Sequence, residues 1–277
     1  MQILNLINKE KSNIDYSISR FPDGEIQITL GEINHKDKVQ INCHITSAEE
    51  LFILTQVCDI LTRHGVAFNI CLFYLMSMRM DRVMDFNRPF SLSIVCKILD
   101  NLGAIYISIY SPHSEEYKRF FKNTTVEELD LGTFSYAVHD YEGGGFQLVL
   151  PDRGAIDRFY YDDNTIFGLK TRDLKTGKII SIGIENPEKI GNVPLIIRDD
   201  LCDGGGTFVR IAEAIRKVQP NANLSIYVDH MVNPKGIMTL SNTFSHVWFT
   251  NSYKDWRAEF EKQSISFPEN VTQIDVV

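Results

Sequence analysis

The chain has 277 residues, a length that suits one large domain or two of ordinary size. Hydrophobic residues make up 44% and charged residues 23%, as in ordinary globular proteins, so a sizeable core is expected and disorder is not. The formal net charge of −8 disfavours a nucleic-acid-binding module, which usually presents a basic patch. A negative chain can still bind polyphosphates through metal ions, local Lys and Arg side chains and backbone N–H groups.

The cysteines and the first residues bear on the cellular compartment. The five cysteines include no CxxC pair, and the start, MQILNLINKEK, lacks the apolar run of a secretion signal. We therefore expect a reducing, cytoplasmic location. No stretch approaches the roughly 20 apolar residues that a membrane span needs, so no membrane partner is predicted.

The first half of the chain alternates between apolar runs and helical patterns. Strands are predicted at 38–44, 66–74 and 104–110, and helices at 47–64 and 90–102. Ser47 is placed to cap the first helix, Glu50 completes a capping box, and Gly65 follows the helix end.

The second half repeats this rhythm. Strands are predicted at 146–150, 193–198, 224–229 and 245–249, and a helix at 207–218. The alternation predicts an α/β fold with mainly parallel sheets covered by helices. Two domains in tandem, 1–136 and 137–277, fit the length better than one. Their boundary falls within 131–146, where Gly143, Gly144 and Gly145 would make a flexible joint.

The strongest motif is LIIRDDLCDGGGT at 195–207, which runs directly into the helical pattern. Ligands bind at the carboxyl ends of strands in open α/β sheets. The glycines let the backbone turn tightly and bring N–H groups close to an oxyanion; they are Gly204, Gly205 and Gly206. Thr207 adds a hydroxyl, and the helix N-terminus adds a positive dipole end.

Three acids accompany these glycines. Asp199 and Asp200 suit ribose hydroxyls, as acceptors, or a hydrated Mg²⁺, and Asp203 opens the turn. The simpler alternative is an ordinary glycine-rich βα turn with solvated acids. No GK[ST] follows, so this is not a Walker A loop.

The segment resembles the phosphoribosyl-diphosphate loop that type I phosphoribosyltransferases share with ribose-phosphate diphosphokinases (PRPP synthetases). The resemblance implies two tandem domains of the type I phosphoribosyltransferase fold. It also implies that a sugar 5′-phosphate lies in 203–207, with the 2- and 3-hydroxyls at Asp199 and Asp200.

Four further segments resemble the synthetases rather than the transferases. RFPDGEIQI at 20–28 is similar to their F-S-D-G-E segment, which reaches across a subunit interface to the adenine of ATP. By this resemblance Phe21 stacks on the base, and Asp23 and Glu25 accept hydrogen bonds from it or order the loop. A plain hairpin turn is the alternative, because P-D-G is a common turn sequence.

The second segment, SMRMDR at 77–82, resembles Y-A-R-Q-D-R. The matching residues are Arg79, Asp81 and Arg82, and the two arginines would neutralise ATP phosphates or frame the adenine pocket. Met80 replaces the family's Gln, which removes a hydrogen-bonding group. A solvated charge cluster is the alternative.

The third segment, YSPHS at 110–114, resembles D-L-H-A or D-P-H-S. The family's His is a ligand of the Mg²⁺ on ATP, so His113 inherits that role. Ser111 stands where the family has Asp. A hydrogen-bonded surface histidine is the alternative.

The fourth segment, LPDRGAIDR at 150–158, resembles S-P-D-x-G-G-x-x-R. Asp152 would hold Mg²⁺ or its waters. We expect Arg153 to touch substrate phosphate and assign Arg158 a structural role. Downstream, GLKTRD resembles the K-x-R of the family's flexible loop, so Lys170 and Arg172 would stabilise charge on the transferred diphosphate.

The resemblance covers roughly residues 16–252, with the motifs in the family's order. It implies transfer of the β,γ-diphosphate of ATP to the anomeric hydroxyl of ribose 5-phosphate, giving PRPP and AMP. The family's loop usually reads D-T-x-G-T, and Gly204 stands at the first Thr. Loss of that side chain opens space for a larger 5′-substituent, so ADP-ribose is the alternative sugar substrate.

Two other functions stay open at this point. One is a phosphoribosyltransferase, which would not need the FPDGE and RMDR segments. The other is a non-catalytic regulatory paralogue, which the departures at Met80 and Ser111 keep open. The family also implies a homo-oligomer, a dimer at least or a hexamer built from dimers.

Overall fold

The computed structural model describes residues 1–139, 145–172 and 179–277, with the backbone alone at 170–172 and 179–181. The chain divides into two compact units, Met1–Leu131 with Val277, and Gly132–Val276. Gly143 and Gly144 of the expected joint lie outside the described residues. Across the described ranges, no helix is long and apolar enough to cross a membrane.

Unit 1 is built on a parallel sheet. Its elements are β1 (Gln2–Asn5), β2 (Tyr16–Arg20), β3 (Ile26–Leu30), β4 (Val39–Ile45), α1 (Ala48–Arg63), β5 (Phe68–Leu75), α2 (Ser91–Asp100), β6 (Tyr106–Tyr110) and β7 (Thr125–Leu129). Five strands pair in parallel in the order β1-β4-β5-β6-β7, while β2 and β3 form a separate antiparallel hairpin.

The first helix of unit 1 begins as its sequence predicts. Ser47 accepts a hydrogen bond from the Glu50 N–H, and the Glu50 carboxylate accepts one from the Ser47 N–H, so the capping box is confirmed. The helix buries an apolar stripe against the sheet. That stripe, including Leu54 and Leu61, joins strand residues such as Ile70 in one core.

Unit 2 has a larger sheet. Its elements are α3 (Thr133–Ala137), β8 (Gln147–Leu150), β9 (Ile166–Arg172), β10 (Ile179–Glu185), β11 (Leu195–Cys202), α4 (Gly206–Val218), β12 (Leu224–Met231), α5 (Pro234–Ser241), β13 (His246–Thr250), α6 (Trp256–Lys262) and β14 (Val271–Ile274). In the described part of the chain, seven strands pair in the order β10-β9-β8-β11-β12-β13-β14. All pairs are parallel except β10 with β9.

The mainly parallel sheets confirm the predicted α/β fold class. Several elements lie beyond the strands and helices that the apolar runs predict; they are β1, β7, β9, β10, β14, α3, α5 and α6. Strand β11 also continues past the predicted end at 198 as far as Cys202. Asp199 and Asp200 therefore lie within a strand, where side chains alternate between the two faces of the sheet.

Candidate active site

The glycine turn lies between the end of β11 and the start of α4. Gly205 has a φ of 78°, in the left-handed region that favours glycine, and it is the residue preceding the helix. Because Gly205 has no side chain, it gives the first N–H groups of α4 no capping bond. N–H groups at such a helix start, together with the helix dipole, can accept an anion. Thr207, in the first turn, is half-buried.

The start of α5 packs closely against this turn. Asn233 donates from its side-chain amide to the Asp203 carboxylate at 2.9 Å, and its Oδ1 accepts from the Lys235 N–H at 3.0 Å. A Cβ on Gly236 would stand 2.1 Å from the Asp203 carbonyl oxygen, so only glycine permits this approach. The Cys202 thiol contacts the same carbonyl oxygen at 3.4 Å.

The acid pair on β11 is bridged by an arginine. Arg158 Nη2 lies 3.1 Å from Asp199 Oδ1 and 3.2 Å from Asp200 Oδ1. Asp200 is 1% exposed, whereas Asp199 is half-buried. A buried carboxylate requires such a partner. Asp199 is consequently the member of the pair that a ligand at the sheet edge can contact more readily.

Asp152 follows β8, the strand next to β11. Its Oδ1 accepts from the Gly154 N–H at 2.9 Å and so orders the 3-10 turn Arg153–Asp157. Arg153 forms a bidentate pair with Glu185, with contacts of 2.9 and 2.8 Å. This pairing holds the pKa of Glu185 below and that of Arg153 above their ordinary values. Arg153 is therefore engaged with a strand carboxylate on its own unit.

Lys170 and Arg172 lie in strand β9, rather than in a loop, and their side chains lie outside the described residues. Phe167 pairs with Leu150, so β9 runs on beyond the end of β8. A Cβ on Gly168 would stand 2.3 Å from the Pro151 carbonyl oxygen. The backbone of β9 therefore passes close to the residue that precedes Asp152.

In unit 1 two strained serines stand at the carboxyl ends of neighbouring strands. Ser77 (φ 66°) follows β5 and Ser111 (φ 42°) follows β6. Left-handed backbone at a residue other than glycine costs roughly 1–3 kcal/mol and is frequent at functional sites. Ser77 lies two residues before the RMDR segment at 79–82, and Ser111 lies two residues before His113. The candidate nucleotide residues thus share one edge of the sheet.

The RMDR segment and the nearby 3-10 turn Glu115–Phe120 line an open cavity. The cavity has a volume of about 440 Å³, and its lining residues are Asp81, Arg82, Val83, Phe90, Glu116 and Arg119. Asp81 is buried and contacts Arg82 Nε at 3.1 Å. Arg79 is exposed and His113 is half-buried. Cationic and aromatic side chains therefore meet at this edge of unit 1.

Residues 20–28 include the turn of the β2–β3 hairpin, the alternative structure given above for this segment; its contact with adenine stays a prediction. Asp23 accepts from the Glu25 N–H at 3.1 Å, and the Phe21 N–H donates to the Glu25 carbonyl at 2.8 Å. Gly24 has a φ of 96°, which closes the turn. Phe21 is 49% exposed at the tip of this hairpin. Asp23 orders the turn, and the Phe21 ring is accessible for stacking.

Cys202, next to the glycine turn, is held as a thiol. Burial raises the pKa of the Cys202 thiol well above its ordinary value, and the nearby Asp199 and Asp203 raise it further. Only the thiolate is strongly nucleophilic. Cys202 is therefore a poor candidate for a covalent nucleophile.

Two residues of the site, Asn233 and Gly236, lie outside the sequence motifs described above. The Asn-Pro pair at 233–234 is a helix-start signal that locates the beginning of α5. The contact between Asn233 and Asp203 spans 30 residues and has no local signature in the sequence.

Within the described ranges, no group of three or more His, Cys, Asp or Glu side chains forms a metal-binding cluster.

The parallel sheets and the glycine turn at a carboxyl end belong to an α/β protein of the phosphoribosyltransferase-like fold. No family model matches the chain. The crystal structure of phosphoribosylpyrophosphate synthetase from Mycobacterium smegmatis has the same fold, with a TM-score of 0.76 over 100% of this chain and 95% of that chain, at 18% identity.

Sequence relatives agree with that class. The ribose-phosphate pyrophosphokinase of Pyrococcus furiosus is 27% identical over 253 residues, 88% of each chain. That of Mycoplasmopsis pulmonis is 25% identical over 247 residues, 85% of this chain and 76% of the relative. The chain is a divergent relative of the ribose-phosphate pyrophosphokinases.

Proposed function

We propose that the chain is a ribose-phosphate diphosphokinase that transfers the β,γ-diphosphate of ATP to the anomeric hydroxyl of ribose 5-phosphate. The uncapped start of α4 behind the left-handed Gly205 carries this proposal. Such a turn binds a terminal phosphate through backbone N–H groups. The curated relatives carry the name of this activity.

The reaction is a single displacement at phosphorus. The sugar O1 attacks the β-phosphorus of ATP, the bond from that phosphorus to the α,β-bridging oxygen breaks, and AMP leaves. The O1 proton is released to a base or to water. Such transfers depend on positioning and charge neutralisation more than on covalent chemistry.

The candidate binding residues form two groups, one for the sugar and one for the nucleotide. In unit 2, the turn 203–207 would seat the 5′-phosphate and Asp199 the ribose hydroxyls. In unit 1, Arg79 and Arg82 would neutralise ATP phosphates, and Phe21 would stack on adenine. Lys170 and Arg172 would stabilise the charge that builds on the transferred diphosphate.

The candidate ligands suit a magnesium ion bound together with ATP. Mg²⁺ is commonly held by one or two carboxylates plus substrate phosphates and waters, so a dense protein cluster is not required. In unit 1, His113 is the residue that we assign to the ion on ATP. In unit 2, Asp152 would hold magnesium or its waters through the oxygen that this ion prefers. When bound, the ion would neutralise the triphosphate.

The direct test measures AMP formation from ATP and ribose 5-phosphate. Lys170→Ala should lower kcat by roughly 10²–10³-fold, because loss of one transition-state donor commonly has that effect. Lys217→Ala, an exposed lysine in the last turn of α4, is the matched control. Wild-type protein that makes no AMP with any sugar would point to the regulatory alternative, and base-dependent release of diphosphate would point to a phosphoribosyltransferase.

A second candidate substrate is a ribose with a larger 5′-group, such as ADP-ribose. The observation that favours it is the space at Gly204, where an added Cβ would meet no atom within 4 Å. The family's threonine would fit here, so steric conflict does not account for its absence. The missing hydroxyl and the open space both favour a 5′-diphosphate ester over a phosphate monoester.

Gly204→Thr separates the two substrates. If the open position accommodates a 5′-substituent, this variant should lose turnover with ADP-ribose and gain turnover with ribose 5-phosphate, by roughly 10-fold for one added hydrogen bond. Val209→Thr, which adds a hydroxyl on α4 outside the turn, is the control. Equal effects on both sugars would refute the open-position argument.

A further inference from the structure

The sequence motifs that suggest the reaction do not include the start of α5, which contacts the glycine turn. Asn233 precedes α5, and Gly236 lies in its first turn. Both residues contact Asp203, the first residue of the turn. We infer that Asn233 is a positioning residue that sets the orientation of the phosphate-binding turn through Asp203, an inference that rests on the proposed function of that turn.

The carbonyl contact acts on the backbone of the turn. A peptide unit is planar, so the direction of the Asp203 carbonyl determines the opposite direction of the Gly204 N–H. The carbonyl oxygen lies against Gly236, at a distance that leaves no room for a Cβ. The Cys202 thiol contacts the same oxygen. The start of α5 therefore sets where the Gly204 N–H points.

The side-chain contact acts on the charge of Asp203. The Asn233 amide donates to Asp203 Oδ1 at 2.9 Å. A hydrogen bond to a carboxylate is stronger than one between neutral groups. The bond holds the negative charge in one orientation beside a turn that must accept an anion. If that carboxylate could rotate, it would compete with the phosphate for the same N–H groups.

Asn233 has a second role as the cap of α5. One substitution separates this capping from the hydrogen bond to Asp203. Its Oδ1 caps α5 by accepting from the Lys235 N–H. Asp and Asn are comparable caps. Asn233→Asp therefore keeps the cap, removes the donor and places a second carboxylate next to Asp203. Asn233→Ser also keeps a capping oxygen and removes the donor, without an added charge.

The experiment measures binding of ribose 5-phosphate and of ADP-ribose by calorimetry, together with hydrogen exchange of the amides at 203–207. Asn233→Asp should weaken binding of the sugar accepted by the wild type by roughly 10-fold or more, and Asn233→Ser by less. Exchange within 203–207 should become faster in both variants. In turnover, KM for the sugar should rise while kcat changes little.

The control is Asn8→Asp, the same substitution at the cap of the 3-10 turn Lys9–Lys11 in unit 1. It should change neither sugar binding, hydrogen exchange nor turnover. If Asn233→Asp binds sugar like the wild type and leaves exchange unchanged, Asn233 is only a helix cap and the inference is wrong. If the wild type binds neither sugar, the proposed function fails, and hydrogen exchange alone still decides whether Asn233 orders the turn.

Discussion

Arg158 has more than a peripheral part in the candidate site, because it bridges both acids of β11. Asp200 is almost wholly buried, and its side chain requires the arginine as a counter-charge. The same guanidinium contacts Asp199, the acid assigned to the ribose hydroxyls. A residue that stabilises the fold can in this way also orient a ligand-binding carboxylate.

Arg158→Met should destabilise unit 2 by about 3 kcal/mol, because it removes one charged partner of the buried Asp200 carboxylate. Both tryptophans, Trp248 and Trp256, belong to unit 2, so urea unfolding followed by tryptophan fluorescence reports on this unit. Arg210→Met, at an exposed position on α4, should change stability by no more than about 0.5 kcal/mol. Equal midpoints for the two variants would contradict the bridging role.

At the scale of elements, the carboxyl ends of strands carry the polar residues in both units, as parallel sheets require. At the amino ends of the strands, contacts between connecting segments stabilise the fold. One of them ties the end of α2 to the segment before β7. The Asp100 carboxylate accepts three backbone N–H bonds of 2.9 to 3.0 Å, from Lys122, Asn123 and Thr124. This anchor holds the edge strand against the sheet.

Asp100 also predicts a pH dependence. Burial by itself would raise its pKa, but the three N–H donors outweigh burial and lower the pKa below the ordinary 3.8. A lowered folded-state pKa contributes stability at neutral pH, and that contribution is lost as pH falls through the folded-state pKa. Asp100→Asn should therefore cost about 1–3 kcal/mol at pH 7.

The difference between wild type and Asp100→Asn should shrink as the pH falls below 3.8, where the unfolded-state carboxyl takes up a proton, and should vanish once the pH is below the lower pKa of the native carboxyl. Thermal unfolding followed by circular dichroism at several pH values measures it. Asp59→Asn is the control, because Asp59 forms an exposed pair with Arg63 that contributes little. A difference that stays constant over the whole pH range would count against the anchor.

At the scale of the whole molecule, each unit has its own core and its own polar sheet edge. The proposed reaction needs nucleotide residues from unit 1 and sugar residues from unit 2. The resemblance further implies that the hairpin tip with Phe21 completes the nucleotide site of a neighbouring subunit. A site shared between subunits makes activity depend on assembly.

Complementation between two inactive variants tests that sharing. Phe21→Ala and Lys170→Ala should each be nearly inactive, and mixtures that exchange subunits should recover a substantial fraction of wild-type activity. Recovery occurs because some mixed sites combine an intact Phe21 with an intact Lys170. Ile18→Ala, exposed on the same hairpin, is the control for Phe21. Light scattering gives the assembly state, and no recovery in an exchanging oligomer would contradict a shared site.

Local signals in the sequence determined the parts of the protein that depend on neighbours along the chain. The capping box of α1, the hairpin at 20–28 and the glycine turn before α4 each need only a few consecutive residues. Short edge strands such as β7, whose side chains are mostly exposed, have no apolar pattern to reveal them. Their pairing depends on the neighbouring strand instead.

Tertiary structure alone decided how the candidate site is supported. Arg158 meets Asp199 across 41 residues, and Asn233 meets Asp203 across 30. It also decided that Asp200 is buried while Asp199 is less so, although one arginine contacts both carboxylates. Periodicity and motifs encode the elements of this protein. Contacts between distant residues arise only when the elements pack, because packing brings their side chains within bonding distance.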